Sequence, residues 1–142
     1  DFAPTMLELA GISIPEDMQG TSFVSQLDMD PNDVRDAVYY HYYEYPKWHK
    51  VQPHYGIRTN RFKLIHFYYS MDEWELYDLD KDPNEMNNLY ANPKYKKLIK
   101  QLKKKLKALQ VEYKDDMSLD EMRRMTDIVI ERVYNEENLN RR

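Results

Sequence analysis

Residues 54–79 read HYGIRTNRFKLIHFYYSMDEWELYDL, and this stretch decides the fold class. It is crowded with aromatic residues, which suit a pleated, half-buried surface better than a helix. The reading predicts a hairpin, Tyr55–Thr59 and Phe62–Tyr69, turning at Asn60-Arg61, and a further strand at Trp74–Leu79. From Phe62 to Phe67 the apolar pattern is partly alternating, so one face of the sheet is expected to be covered. Upstream, eleven aromatic residues fall among the thirty-two from Val38 to Tyr69. Val38–Tyr45 reads as the first strand and ends before Pro46. The turns between these runs are short, which points to an antiparallel meander.

Helical signals flank the strands. Asp82-Pro83-Asn84-Glu85 has the form of a capping box with proline at the first helical position, and predicts a helix start. Asn92-Pro93 opens the main helix, where Tyr95, Leu98, Ile99, Leu102, Leu106, Leu109 and Tyr113 recur at steps of three and four. Ser118 and Glu121 make a second capping box for a last helix through Met122, Met125, Ile128, Val129 and Val133. On the N-terminal side, Pro4–Ala10 predicts a short helix with Met6, Leu7, Leu9 and Ala10 in apolar contact, ended by Gly11 in a left-handed cap. Thr21 or Ser22 caps a second short helix, and Asp28–Asp33 forms an acidic turn. The expected fold class is α+β: a four-stranded antiparallel sheet packed by a long C-terminal amphipathic helix, with short N-terminal helices and an extra terminal helix.

Composition removes several kinds of chemistry. The 142 residues contain no cysteine, which excludes disulfides, thiolate metal sites and thiol nucleophiles. The glycines, Gly11, Gly20 and Gly56, spell no phosphate-cradling loop. Mean hydropathy is −0.90, and no apolar run is long enough to span a membrane. The opening residues DFAPTMLELAG carry no targeting signal and no initiator methionine, so the chain reads as a segment of a longer protein. The net charge of −4 argues against whole-chain attraction to nucleic acid, although residues 94–114 carry nine lysines against the single acid Glu112.

Few constellations suggest a site. Asp78, Asp80 and Asp82 have the spacing that opens a calcium loop, but Pro83 and Leu89 occupy the positions that need glycine and a bidentate glutamate. They read as a strand end followed by a cap. The lysine face of residues 94–107 reads first as the solvated side of an amphipathic helix. His41 and His66 lie within strand patterns and are expected to pack or hydrogen-bond structurally. Trp48, His49 and His54 differ, because they share a polar loop marked by Pro53. An indole face packs on a sugar ring and imidazole hydrogen-bonds hydroxyls, so these three are the candidate substrate-binding residues. No serine lies in a nucleophile-elbow motif.

Three stretches resemble the C-terminal subdomain of type I sulfatases, the formylglycine-dependent, alkaline-phosphatase-like sulfuric ester hydrolases. They are DFAPTMLELAGISIPEDMQGTSF, HYGIRTNRFKLIHFY and WELYDLDKDPNEMNNLYANPKY, in order over residues 1 to about 115. The likeness is greatest to bacterial glycan sulfatases similar to N-acetylglucosamine-6-sulfatase. It implies a four-stranded antiparallel sheet packed by a long helix. It also implies a parent, periplasmic or secreted, that hydrolyses sulfate esters on carbohydrates with calcium and formylglycine held upstream.

The nucleophile motif of that family, Cys or Ser followed by x-Pro-Ser-Arg, is not met: Ser13-Ile14-Pro15-Glu16-Asp17 lacks its serine and arginine. This chain alone is therefore expected to be inactive, with no catalytic residue and no metal or cofactor site of its own. His54, just before Tyr-Gly-Ile-Arg-Thr, resembles a residue that contacts the sulfated sugar. Arg58 and Lys63 are expected to pair with carboxylates. The implied organisation is 1–37 as linker and short helices at the junction with the catalytic domain, 38–115 as the subdomain and 116–142 as an additional helix. The implied partners are the missing N-terminal catalytic domain and a sulfated carbohydrate, with neither nucleic acid nor membrane. A second reading is a standalone module binding a sulfated glycan or other polyanion through Lys96, Lys100, Lys103 and Lys107. A third is a docking surface with a bare apolar patch around Met6, Leu7 and Phe23, open to self-association.

Overall fold

The computed structural model describes residues 1–27, 35–46 and 49–139. Trp48 and the expected turn at Asp28–Asp33 lie outside the described residues. The chain divides into two compact units, Asp1–Asp36 and Ala37–Arg142.

The first unit holds helices α1, Phe2–Leu9, and α2, Val24–Leu27. Gly11 ends α1 at φ 68°, and its N–H donates to the Glu8 carbonyl at 2.9 Å. That conformation costs glycine nothing and a β-carbon something. The face that α1 buries differs from the expected one. Pro4 and Thr5 are buried, whereas Met6 and Leu9 are exposed. The cause is polar: the Thr5 hydroxyl donates to the Asp1 carbonyl (2.6 Å) and accepts from the Phe23 N–H (3.1 Å), so its side of the helix turns inward. Arg35 grips the Asp1 carboxylate through both terminal nitrogens, at 2.9 and 2.8 Å.

The second unit is built on an antiparallel sheet of β1, Ala37–Tyr42; β2, His54–Thr59; β3, Phe62–Phe67; and β4, Glu73–Asp78, in that spatial order. The Thr59 hydroxyl closes the β2–β3 turn by accepting from the Phe62 N–H at 2.9 Å. Register aligns Tyr39, Ile57, Leu64 and Leu76 in one row on the covered face. The row beside it holds His41, Tyr55, His66 and Trp74. Ile57, Leu64 and Leu76 are fully buried beneath Leu102 and Leu106 of helix α3, Lys96–Glu112. This supports the α+β reading, strand for strand.

The expected helix at Asp82–Glu85 does not form. Asp82 does act as a cap, accepting from the Asn87 N–H at 2.7 Å, but Glu85 turns left-handed at φ 54° and pairs with Lys63 instead of reaching back. The following residues line β4. Leu89 donates to the Leu76 carbonyl, and the Asn88 side chain accepts from the Leu76 N–H. Covering an exposed sheet edge satisfies backbone groups that one helical turn would leave open.

Asn92 caps a 3-10 turn at Pro93–Tyr95 that leads into α3, accepting from the Lys94 N–H at 3.1 Å. Lys114 ends α3 at φ 57°, and the Asp115 N–H donates to the Gln110 carbonyl. Helix α4, Leu119–Leu139, starts on the expected box, with Ser118 and Glu121 each accepting the other's backbone N–H. Among the described residues no helix is long and apolar enough to cross a membrane.

Candidate functional site

Strand periodicity sorts the histidines onto opposite faces. His41 and His66 lie on the helix-covered face, and each is hydrogen-bonded through both ring nitrogens. His66 Nε2 donates to Asp72 (2.7 Å) and its Nδ1 takes the Tyr55 hydroxyl (2.8 Å), while the ring stacks on Trp74 with centroids 4.1 Å apart. Burial pushes its pKa below the ordinary value despite the Asp72 carboxylate beside it. His66 and the Arg123 guanidinium hold Asp72 below the usual carboxylate range. His41 repeats the pattern, with Nδ1 donating to Asp115 at 2.8 Å and Nε2 meeting the Tyr68 hydroxyl at 2.9 Å. Both are structural, because no ring nitrogen is left for a ligand.

His54, expected in the loop, is instead the first residue of β2, where pairing with β1 and β3 draws it into the sheet, and it lies on the opposite face in a row with Tyr42, Phe67 and Glu73. Its ring stacks on Tyr42 (5.4 Å) and meets Phe67 (5.0 Å) and Tyr40 (6.0 Å). Nδ1 lies 2.8 Å from the Gln52 carbonyl. A carbonyl only accepts, so Nδ1 carries the proton and the neutral ring keeps a bare acceptor at Nε2. Among the described residues Nε2 has no partner. His49 joins this group through the Tyr42 hydroxyl, 3.1 Å from its Nδ1.

The structure therefore brings His49 and His54 together on Tyr42. Tyr42 and Phe67 were not singled out from sequence. The period of two that puts Tyr40 and Tyr42 on one side of β1 was the available signal.

The remaining charged candidates are mostly engaged. Lys63 pairs with Glu85 at 2.6 Å, and Arg58 is exposed beside it across the strands. Asp78 takes Arg61 through two nitrogens at 2.9 and 2.8 Å, and that guanidinium keeps its carboxyl below the usual range. Of the four lysines proposed for polyanions, Lys103 lies 3.7 Å over the Trp74 ring and donates to the Tyr90 hydroxyl at 2.8 Å. Lys107 reaches the Asp116 carbonyl at 3.4 Å, while Lys96 and Lys100 are exposed. The donors present do not fit a calcium ion. Asp78 is spent on Arg61, and no group of three or more His, Cys, Asp or Glu suited to a metal occurs among the described residues.

Four antiparallel strands backed by a long helix define the kind of C-terminal domain found in sulfatases of the alkaline-phosphatase-like fold. The profile of the family described as N-sulphoglucosamine sulphohydrolase, C-terminal, matches residues 1–112, and the chain belongs to that family. It is 52% identical over 119 residues to the N-acetylglucosamine-6-O-sulfatase of Bacteroides thetaiotaomicron, a match covering 82% of this chain and 21% of that protein. It is 32% identical over 121 residues to a Delta 4,5-hexuronate-2-O-sulfatase of the same organism, covering 82% and 24%. A protein solved in complex with its substrate D-glucosamine-2-N,6-O-disulfate matches with a TM-score of 0.78 at 52% identity, over 82% of this chain and 24% of that one. The chain thus spans less than a quarter of the length of the curated relatives quoted.

Proposed function

We propose that this chain is the C-terminal part of a sulfatase whose parent cleaves sulfate esters on a carbohydrate, with a sulfated glucosamine as the substrate class. Residues 1–37 join it to an upstream catalytic domain, 38–115 form the subdomain that frames the sugar pocket, and 116–142 add a helix. Formylglycine and calcium belong to the upstream domain, and the chain alone is catalytically silent. The parent works in the periplasm or outside the cell, where such glycans are met.

The observation that carries the framing role is His54. Its ring is held between Tyr42 and Phe67 and its Nδ1 is committed to Gln52, which leaves Nε2 as one defined acceptor without a partner among the described residues. A sugar hydroxyl donates to such a nitrogen, and Trp48 and His49, a few residues upstream in sequence, are the further sugar contacts of this reading.

His54→Ala in the full-length parent is expected to lower kcat/KM on a 6-O-sulfated glucosamine by roughly tenfold or more, the worth of one buried hydrogen bond to substrate. Unchanged kinetics would remove His54 from the pocket.

A further inference from the structure

The covered side of the sheet holds a cavity of about 250 Å³ between β1 and α4. His41, Tyr68 and Asp115 form one side, and Met122, Met125 and Val129 the other. The α4 side lies wholly beyond residues 1–112, the span matched by the family profile. The helix that walls the cavity thus lies outside the matched span.

Its polar groups are almost all spent within the fold. The His41 ring uses both nitrogens, on Asp115 and on the Tyr68 hydroxyl. The Thr126 hydroxyl donates to the Met122 carbonyl at 3.0 Å. Asp115 Oδ2 accepts from both His41 and the Tyr39 hydroxyl, at 2.8 and 2.7 Å. What is left is Asp115 Oδ1, a carboxylate oxygen with no partner among the described residues, on a side chain that lines the cavity and is one quarter exposed.

Burial works to raise the Asp115 pKa. The hydrogen bonds from Tyr39 and His41 outweigh it and hold the carboxyl below its usual range, so it is ionised at neutral pH. Among the described residues that line the cavity, Asp115 is the one carboxylate, set among Met117, Met122, Met125 and Val129 with the hydroxyls of Tyr43, Tyr68 and Thr126. Such a chamber selects an apolar body carrying a cationic head. A cavity of about 150 Å³ holds benzene, so this one has room for a phenyl ring and a short arm.

We infer that this cavity is a binding site for small organic ammonium ions, the aryl or alkyl body packed on Met122, Met125 and Val129 and the ammonium on Asp115. The test titrates phenethylammonium into the 142-residue chain labelled at its methionine methyls and follows their NMR shifts. Met122 and Met125 should shift saturably with a Kd of about 1 mM, a usual strength for a ligand of this size. Binding of the neutral isostere 2-phenylethanol should be roughly tenfold weaker, because it forfeits the charge-assisted hydrogen bond. Asp115→Asn should weaken phenethylammonium to the same degree, and Met125→Trp, at a half-exposed position, should fill the cavity and abolish binding.

No saturable shift up to about 10 mM, equal affinity for the alcohol, or undiminished binding in Met125→Trp each overturns the assignment. If Asp115→Asn fails to fold, the comparison of ammonium with alcohol in the unaltered chain decides.

Discussion

Tyr40 lies directly across the strand pair from Gly56, and its hydroxyl occupies the space a β-carbon at residue 56 would need, 2.5 Å away. The Leu64 carbonyl on the other side would be 2.6 Å from the same atom. One neighbour is a side chain that can swing, but the other is backbone fixed in the ladder. Gly56→Ala is therefore expected to destabilise the sheet by about 1–3 kcal/mol, the usual cost of overpacking. Urea denaturation at pH 7 reads the change, and an unaltered midpoint would show that the strands part at no cost.

The same Tyr40 hydroxyl is buried with no hydrogen-bond partner among the described residues. Burial, with Glu85 and Glu75 nearby, raises its pKa well above the ordinary phenol value. Tyr40→Phe deletes an unsatisfied polar group and keeps the ring that covers Gly56. Stability is expected to hold or rise by up to about 1 kcal/mol, whereas a clear loss would reveal a bonded hydroxyl.

His66 makes stability depend on pH. Its folded pKa is depressed, chiefly by burial, with Lys103 and Arg123 adding to the effect and Asp72 opposing it. The unfolded chain therefore takes up this proton first. The stabilisation is full above about pH 6.5, the unfolded histidine value, and is lost as pH falls from there through the folded pKa. The difference in urea midpoint between the unaltered chain and His66→Gln should shrink from pH 8 to pH 5. Parallel profiles would mean that His66 titrates alike in both states.

Lys103 joins α3 to the sheet through a π face rather than a carboxylate, its ammonium lying over Trp74, which stacks on His66 behind it. Lys103→Met keeps the stem and removes the charge. The expected loss is about 0.5–2 kcal/mol, and a double-mutant cycle with Trp74→Leu should recover most of it as coupling. A coupling near zero would leave Lys103 an ordinary solvated lysine.

Much of the fold was legible because it rests on short-range rules. The four strands follow from aromatic and β-branched runs broken by turns, and α3 from apolar residues at steps of three and four. Gly11 and the Ser118–Glu121 box mark ends whose partners lie within a few residues. Asp82–Glu85 misled because its capping box is equally compatible with a cap that leads nowhere. Lys63, remote in sequence, drew Glu85 away, and the open edge of β4 claimed Asn88 and Leu89.

The amino-acid sequence determined the class of structure, the strand order of a meander, the lack of any thiol chemistry and the likeness to sulfatase C-terminal domains. Each of these depends on residue type and local spacing. Only the tertiary structure decided which of the strand histidines keeps a nitrogen unpartnered among the described residues, since that depends on the face a strand presents and on what lies across from it. His41 and His66 were drawn onto Asp115 and Asp72 under the helices, and His54 was left with one open acceptor between Tyr42 and Phe67. The cavity beside Asp115 is likewise invisible in the sequence, because its walls come from β1 and α4, brought together by the left-handed turn at Lys114.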